Sequence, residues 1–444
     1  MKRIKLGFVI LFVALTALWL LADTFFPQPF GYFPLRRAMV QYTGVLAMGA
    51  MSLAMILATR PRWLEPWLGG LDKMYRLHKW LGIAALAVGT VHWLWAQGTK
   101  WAVGWGWLVK PAGKGAPDFG ALEQMLRSQR GLAETLGEWA AFYPAALLIV
   151  LALVKRFPYR PFAKTHTILA VIYLVLVFHA VILLEFAYWT QPLGVVMAVL
   201  LTAGAVSALL VLCKRVGARS TVAGRVTRVA AFPETRVVQA AIELRGPWPG
   251  HRPGQFAFVT FDRREGAHPY TIASAWHARE REVSFLIKVL GDHTARLYET
   301  LTPGQPVLVE GPYGCFTFDD RKPRQIWIGA GIGITPFIAR MQYLANHPGQ
   351  RQAIDLFHPS STRSHAAVDN LAADARAAGV ALHLMLDETD GRLDGARLRG
   401  AVPDWRQASV WFCGPVAFGA ALRRDLVAHG LAPADFHQEL FEMR

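Results

Sequence analysis

The residues of this sequence best equipped for chemistry are four histidines set in apolar surroundings. His78 and His92 bracket thirteen residues in "HKWLGIAALAVGTVH", and His166 and His179 bracket twelve in "HTILAVIYLVLVFH". A lone imidazole on an apolar helix is more often a core residue bonded to a neighbour. Ionisable groups at membrane depth, however, are rare and usually functional. On helices, separations of fourteen and thirteen positions cover roughly 20 Å of axis. Two such stretches side by side would pair His78 with His166 at one depth and His92 with His179 at the other.

Neutral imidazole is a good iron ligand. One histidine from each helix gives bis-histidine ligation, and the axial distance leaves room for two stacked haems. Iron held in this way has no open position, which favours electron transfer over oxygen binding. The periodicity is uneven. Fourteen residues make about 3.9 turns and keep His78 and His92 on one face, whereas thirteen make about 3.6 turns. The helix bearing His166 and His179 is therefore expected to bend, change its winding or approach the haems from different sides. His166, beside Lys164, best fits an ordinary interfacial histidine. Glu185, near the end of the same apolar run, has no evident role.

The elements that must hold these histidines follow from composition. The chain has 444 residues, is 53% hydrophobic and carries a formal net charge of +16. Apolar runs near 6–22, 38–59, 78–97, 137–154, 166–187 and 191–213 mostly reach the length a bilayer core requires. They predict six membrane-spanning helices, with the run after "MKRIK" retained as the first span. Short loops holding Arg60, Arg62, Lys73 and Arg76, and Lys155, Arg156, Arg160 and Lys164, are richer in cations than the opposite loops. That places both termini inside. Trp93, Trp95, Trp101, Trp105 and Trp107 crowd the outer end of the third span as an interfacial belt would. The basic balance suits lipid head groups and phosphate-bearing cofactors. No arginine-rich tract or nucleic-acid fingerprint is present, so no nucleic-acid partner is expected. Cys213, Cys315 and Cys413 form no CxxC, which argues against a disulfide framework or a zinc site.

Beyond residue 217 the pattern changes to short β-type runs, "GRVTRVAAF", "VVQAAIEL", "QFAFVTF" and "VSFLIKVL". From about 324, strand-like runs alternate with helical stretches at 336–346 and 365–378, which predicts a parallel α/β sheet. In "IWIGAGIGITPF" a strand leads into Gly329, Gly331 and Gly333, then into Thr335 and Pro336. Thr is a good N-cap and Pro suits the first helical position. Such a turn brings a pyrophosphate against backbone N–H groups at a helix N-terminus.

The paired histidines resemble those of the ferric reductase and NADPH oxidase superfamily of transmembrane haem proteins. The resemblance implies that His78 and His166 hold an inner haem b and His92 and His179 an outer one. "HPYTIAS" resembles the flavin motif of ferredoxin-reductase-type domains, with Tyr270 where phenylalanine is usual. It implies FAD contacts from His268, Pro269, Tyr270, Thr271 and Ser274, with Thr271 near the flavin N5. "KVLGDHT", with Lys288, Gly291 and Thr294, is similar to the segment that binds the FAD pyrophosphate, and "EGPYG" to the closing turn of the flavin barrel. "FCGP" resembles the nicotinamide-side motif and implies that Cys413, Gly414 and Pro415 help set hydride-transfer geometry. Phe441, in "HQELFEMR", matches the aromatic residue that covers the flavin ring in relatives.

The expected organisation is a multi-domain membrane protein. A six-helix all-α transmembrane di-haem domain (1–216) precedes a ferredoxin-reductase-type β-barrel FAD domain (217–320) and an α/β Rossmann-like NAD(P)H domain (321–444). Ser361 and Arg363, with Ser360, lie where a 2′-phosphate would sit, which favours NADPH over NADH. Electrons would pass from NAD(P)H through FAD and two haems to an acceptor on the outer side of a plasma (inner) membrane. That acceptor is oxygen, giving superoxide; the alternatives are a ferric chelate or a periplasmic partner protein. Lys100, Lys110, Lys114, Arg127 and Arg130 would supply outer cations near it.

Overall fold

The computed structural model describes residues 1–111, 120–154, 156, 159–349, 352–360, 364–386 and 390–439. The chain divides into two compact units. One holds Met1–Gly69 and Lys73–Val216; the other holds Gly70–Asp72 and Gly217–Met443.

The first unit is helical: α1 (Lys2–Ala22), α2 (Tyr32–Ala58), α3 (Leu71–Gly104), α4 (Arg130–Leu153), α5 (Tyr159–Leu183) and α6 (Pro192–Leu212). Among the described residues, five helices are long and apolar enough to cross a membrane. The sequence suggested six. The exception is α3, whose 34 residues more than suffice in length. Its run at 78–97 carries His78, Lys79, His92 and Gln97, which depress its hydropathy. Those polar groups include the residues proposed to do the chemistry.

Polar pins tie the helices together. The Tyr173 hydroxyl on α5 lies 2.8 Å from the Ser52 hydroxyl on α2, and both side chains are fully buried. Thr16 on α1 meets Tyr42 on α2 at 3.0 Å. In an apolar medium a hydroxyl must find such a partner. Pro192 opens α6 at its first turn, where its missing N–H costs nothing. The middle of α4, Leu136–Phe142, is π-helical, a local winding often found at functional sites.

The second unit has two sheets. Strands β1 (Thr221–Phe232), β2 (Val237–Arg245), β3 (Phe256–Thr260), β4 (His268–Thr271), β5 (Glu282–Lys288) and β6 (Pro306–Tyr313) form an antiparallel sheet in the order β4-β3-β6-β1-β2-β5. An antiparallel bridge between Ile272 and Phe285 joins the two ends of that order, closing it into a barrel. Alternating residues such as Val238, Ile242, Val259, Phe285 and Val309 fill its core. One lid of the barrel is α7 (Asp292–Thr300), whose Leu297 enters that core.

Strands β7 (Arg324–Gly329), β8 (Ala353–Ser360), β9 (Ala381–Leu386), β10 (Ala408–Cys413) and β11 (Phe436–Gln438) form an all-parallel sheet in the order β11-β10-β7-β8-β9. Helices α8 (Thr335–Ala345), α9 (His365–Ala378) and α10 (Val416–Ala428) follow β7, β8 and β10. From β7 the chain proceeds to β8 and β9 on one side, then returns to place β10 on the other. The strand order therefore reverses between β7 and β10. Open α/β sheets bind ligands at such a point, beyond the carboxyl ends of the strands.

Candidate functional site

Helices α3 and α5 bring the four histidines together as two pairs. The His78 and His166 rings have centroids 5.9 Å apart with planes 65° to one another. Those of His92 and His179 are 6.2 Å apart at 79°. One ion between two imidazoles, with bonds of about 2 Å, places the centroids roughly 6 Å apart.

The other ring nitrogen is accounted for in three of the four. His78 Nδ1 donates to the Ala54 carbonyl (2.9 Å), His92 Nδ1 to that of Val40 (3.0 Å) and His179 Nδ1 to that of Ala133 (2.8 Å). Each of these bonds fixes the proton on Nδ1 and leaves Nε2 as a lone-pair donor. Metal-bound histidines are oriented in this way. His166 Nδ1 is buried without a partner among the described residues, and its ring stacks on Phe162 at 5.1 Å. Helix α5 runs unbroken over Tyr159–Leu183, so no interruption is needed for its uneven spacing. The irregular winding is in α4 instead. Gly137, in the π-helical stretch, lies so close to the His179 ring that a β-carbon there would overlap it. These four imidazoles are the residues that would hold two haem irons, one between each pair.

Two polar features occupy the end of this unit nearest His92 and His179. Arg36 Nε donates to the Trp95 carbonyl (3.2 Å) and the Thr99 hydroxyl (3.0 Å) on α3, just past His92. Composition gave no sign of this cation's place, because only the packing of α2 on α3 puts it there. Glu185, unexplained by sequence, pairs with Arg37 at 2.9 Å. Of the loop cations expected to serve an acceptor, Arg127 is paired with Glu123 and Arg130 with Glu134, one helical turn away in each case. Lys114 lies outside the described residues.

In the second unit His268, Pro269, Tyr270 and Thr271 make up β4, on the flank where the barrel closes. Tyr270 packs between Phe261 and Phe285, and its buried hydroxyl has no hydrogen-bond partner among the described residues. Burial pushes its phenol pKa up. An orphaned hydroxyl on this strand fits a cofactor with polar atoms. The Ser274 hydroxyl is already engaged: it accepts from the Ser284 N–H at 3.0 Å.

Gly291 caps α7. The Thr294 hydroxyl accepts from Leu290 N–H (2.8 Å) and Gly291 N–H (3.1 Å) and donates to the Gly291 carbonyl (3.0 Å). It therefore builds the turn that carries these N–H groups. The N–H groups of the first turn have no intrahelical partner and are left to meet an anion. The Lys288 ammonium extends from β5 toward Gly331 in the loop after β7.

His293 of α7 stacks on His268 of β4, with centroids 3.9 Å apart and planes 15° from parallel. Glu265 lies beside them, 4.0 Å from His293 Nδ1 and paired with Arg296. Donor atoms of Glu265, His268 and His293 lie within 4.8 Å of one another. Two near-parallel stacked rings nevertheless share no point in both planes at bonding distance, so the trio is not arranged around one ion. Burial holds both imidazole pKa values down. His293, also repelled by His268, falls to about 4. With Arg263, Arg264 and Arg296, His293 lines a cavity of about 690 Å³.

At the switch point Gly329, the last residue of β7, is in register with Cys413, the last of β10. The loop between them packs tightly. Ala330 N–H donates to the Cys413 carbonyl at 3.0 Å, and a β-carbon on Gly333 would overlap that same carbonyl. Thr335 begins α8 and is not its cap; its hydroxyl donates to the Ile332 carbonyl at 2.7 Å, and Pro336 follows. Pro415 caps α10. Cys413 is fully buried, and burial, helped by the Glu439 carboxylate, pushes its thiol pKa well up. Asp355 within β8 is held by Arg324 and His383 and is not available to a ribose. Ser361, Arg363 and Phe441 lie outside the described residues.

The ferric reductase like transmembrane component family matches residues 43–177, which include three of the four histidines; His179 lies just beyond. An FAD-binding domain family matches residues 231–317, covering β4 and the Gly291–Thr294 turn. Among curated proteins the chain is similar to an NADPH oxidoreductase of Mycobacterium tuberculosis, 30% identical over 37% of this chain and 46% of that protein. It is 25% identical to the reductase component of a glycine betaine monooxygenase from Pseudomonas aeruginosa over 43% of this chain and 56% of that one. It is 34% identical to the heavy chain of a superoxide-generating NADPH oxidase from Dictyostelium discoideum over 21% of this chain and 22% of that one. The chain spans about half, or less, of the length of these relatives. The chain thus carries a segment similar to the ferric reductase like transmembrane component, followed by one similar to an FAD-binding domain.

Proposed function

We propose that the protein carries electrons from cytosolic NADPH across a plasma membrane to oxygen on the far side, producing superoxide. NADH is the alternative donor. FAD and two b-type haems supply the conversion of hydride to single electrons and the relay across the bilayer. The observation that carries the reading is the double histidine pair, with three of four Nδ1 atoms tied to backbone carbonyls. His78 with His166 would hold the inner iron, and His92 with His179 the outer. In this reading α3 is the sixth span.

Tyr270 and Thr271 would bind and orient the flavin ring, and the Gly291–Thr294 turn its diphosphate. The Gly329–Gly333 loop and Lys288 would hold the nucleotide phosphates, with Ser361 and Arg363 at the 2′-phosphate. Cys413, Gly414 and Pro415 would form the wall behind the nicotinamide. A neutral buried thiol there acts by shape and not as a nucleophile. Phe441 would cover the flavin until nicotinamide displaces it. Arg36 would supply the cation at the acceptor end.

The test is an anaerobic titration of purified protein with NADPH, after haem content has been fixed by pyridine haemochrome. Two haems per chain, reduced by NADPH and reoxidised by oxygen with dismutase-sensitive cytochrome c reduction, is the expected result. Haems that stay reduced in oxygen but pass electrons to ferric chelates would replace oxygen with iron as the acceptor. Haems that turn over with neither would point to a periplasmic partner. A colourless membrane unit would remove the haem reading altogether.

A further inference from the structure

The stacked pair His268 and His293 presents a problem to which chemistry suggests an answer. This is the end of the barrel where the diphosphate of FAD is expected, yet a carboxylate, Glu265, is buried beside the two rings with only 9% of its side chain exposed. A fixed anion next to a diphosphate is unfavourable unless something between them is positively charged. Arg296 is already paired with Glu265. Arg263 and Arg264 also line this cavity, and the groups beside Glu265 able to gain a proton are the two imidazoles; His293 Nε2 is buried with no hydrogen-bond partner among the described residues.

We propose that flavin loading is coupled to proton uptake at the His268–His293 stack, with Glu265 as the positioning residue that favours the protonated form. The proposal rests on the reading that the flavin diphosphate lies at the Gly291–Thr294 turn. The two rings stack at 3.9 Å, so a proton on one disfavours a proton on the other. An incoming diphosphate supplies the missing negative charge on one side, with Glu265 on the other. A proton on the stack then makes a charge-assisted bond to phosphate oxygen. No bond between heavy atoms forms or breaks; the proton comes from solvent.

The charged groups acting on His293 are His268 on β4, Glu265 and Asp262 in the loop after β3, and Arg296 on its own helix. Arg296 and His268 oppose protonation, and Glu265 and Asp262 favour it. Because ligand binding raises the pKa, affinity is greatest at low pH. It falls as pH rises from about 4, the ligand-free value of His293, through the bound-state value.

The experiment uses the full chain in detergent, stripped of flavin and titrated with FAD by calorimetry near pH 6 in two buffers of different ionisation enthalpy. Buffer-dependent heat showing net proton uptake is expected, with affinity falling up to about tenfold per pH unit per proton as pH rises. Glu265→Gln should reduce the proton uptake and flatten the pH dependence of binding, with the high-pH affinity raised by loss of the anion beside the diphosphate. FAD that binds with the same heat in both buffers and a pH-independent affinity would overturn the proposal and leave the flavin reading intact. Failure of the wild-type chain to bind FAD at any pH would remove the flavin reading and this inference with it.

Discussion

Gly137 and His179 are in such close contact that glycine alone fits. The π-helical turn of α4 pushes its backbone against the imidazole, while the Ala133 carbonyl, one turn earlier, takes the Nδ1 proton. The ring is thus clamped between a hydrogen bond and a bare backbone. Gly137→Ala should displace it and weaken retention of the haem proposed at His92 and His179 by roughly 10–100-fold, as loss of an orienting neighbour does at other metal sites. Pyridine haemochrome on the purified variant checks this. A full complement of two haems would show that the clamp is not needed.

The two pairs should separate functionally. His92→Ala or His179→Ala is expected to abolish reduction of a far-side acceptor while leaving anaerobic reduction of flavin by NADPH intact. Stopped-flow absorbance at flavin and haem wavelengths distinguishes the two steps. Full haem content and transmembrane activity in both variants would reject the outer-site assignment.

Cys413 differs from the other two cysteines in burial, since Cys213 and Cys315 are exposed. Its thiol is held neutral beyond the usual thiol range, so the nucleophilic thiolate is absent at neutral and mildly alkaline pH. Alkylation followed by mass spectrometry should label Cys213 and Cys315 first and Cys413 only at high pH or on unfolding. Cys413→Ala should lower kcat for hydride transfer by about 10–100-fold through lost positioning, with KM little changed.

The orphan hydroxyl of Tyr270 makes an opposed pair of expectations. Tyr270→Phe removes a buried unpaired group and should stabilise the flavin-free barrel by about 1 kcal/mol. It should also weaken FAD binding, because the hydroxyl's partner is then lost. Thermal melts with and without FAD measure both changes. Lower stability in the flavin-free state would mean that the hydroxyl is satisfied within the protein.

Lys288 approaches Gly331 from the flavin barrel. Lys288→Ala is expected to raise the KM for NADPH about tenfold at low salt and to flatten its dependence on ionic strength. An unchanged KM would leave this lysine a purely structural or flavin-side role.

The elements that carry the candidate site were legible in the sequence because they depend on residue type and spacing along single elements. Histidines thirteen and fourteen positions apart, a strand running into glycines, and β-branched runs broken by turns are local signals. The four strand-like runs near 325, 353, 381 and 409 became β7 to β10, but β11, only three residues long, left no pattern to read. Hydropathy was a poorer guide where polar groups interrupt an apolar run, and α3 fell short for that reason.

The tertiary structure alone decided which groups meet. Sequence supplied His179, but the Ala133 carbonyl and Gly137 reach its ring only through the packing of α4 on α5. Arg36 and Glu185 acquired partners on other helices, Thr294 turned inward to cap its helix, and Glu265 came to lie beside two histidines from different elements. Side-chain identity sets what a group can do. The partner that fixes its proton, charge or orientation arrives from distant sequence, and long-range packing leaves no periodic trace in the chain.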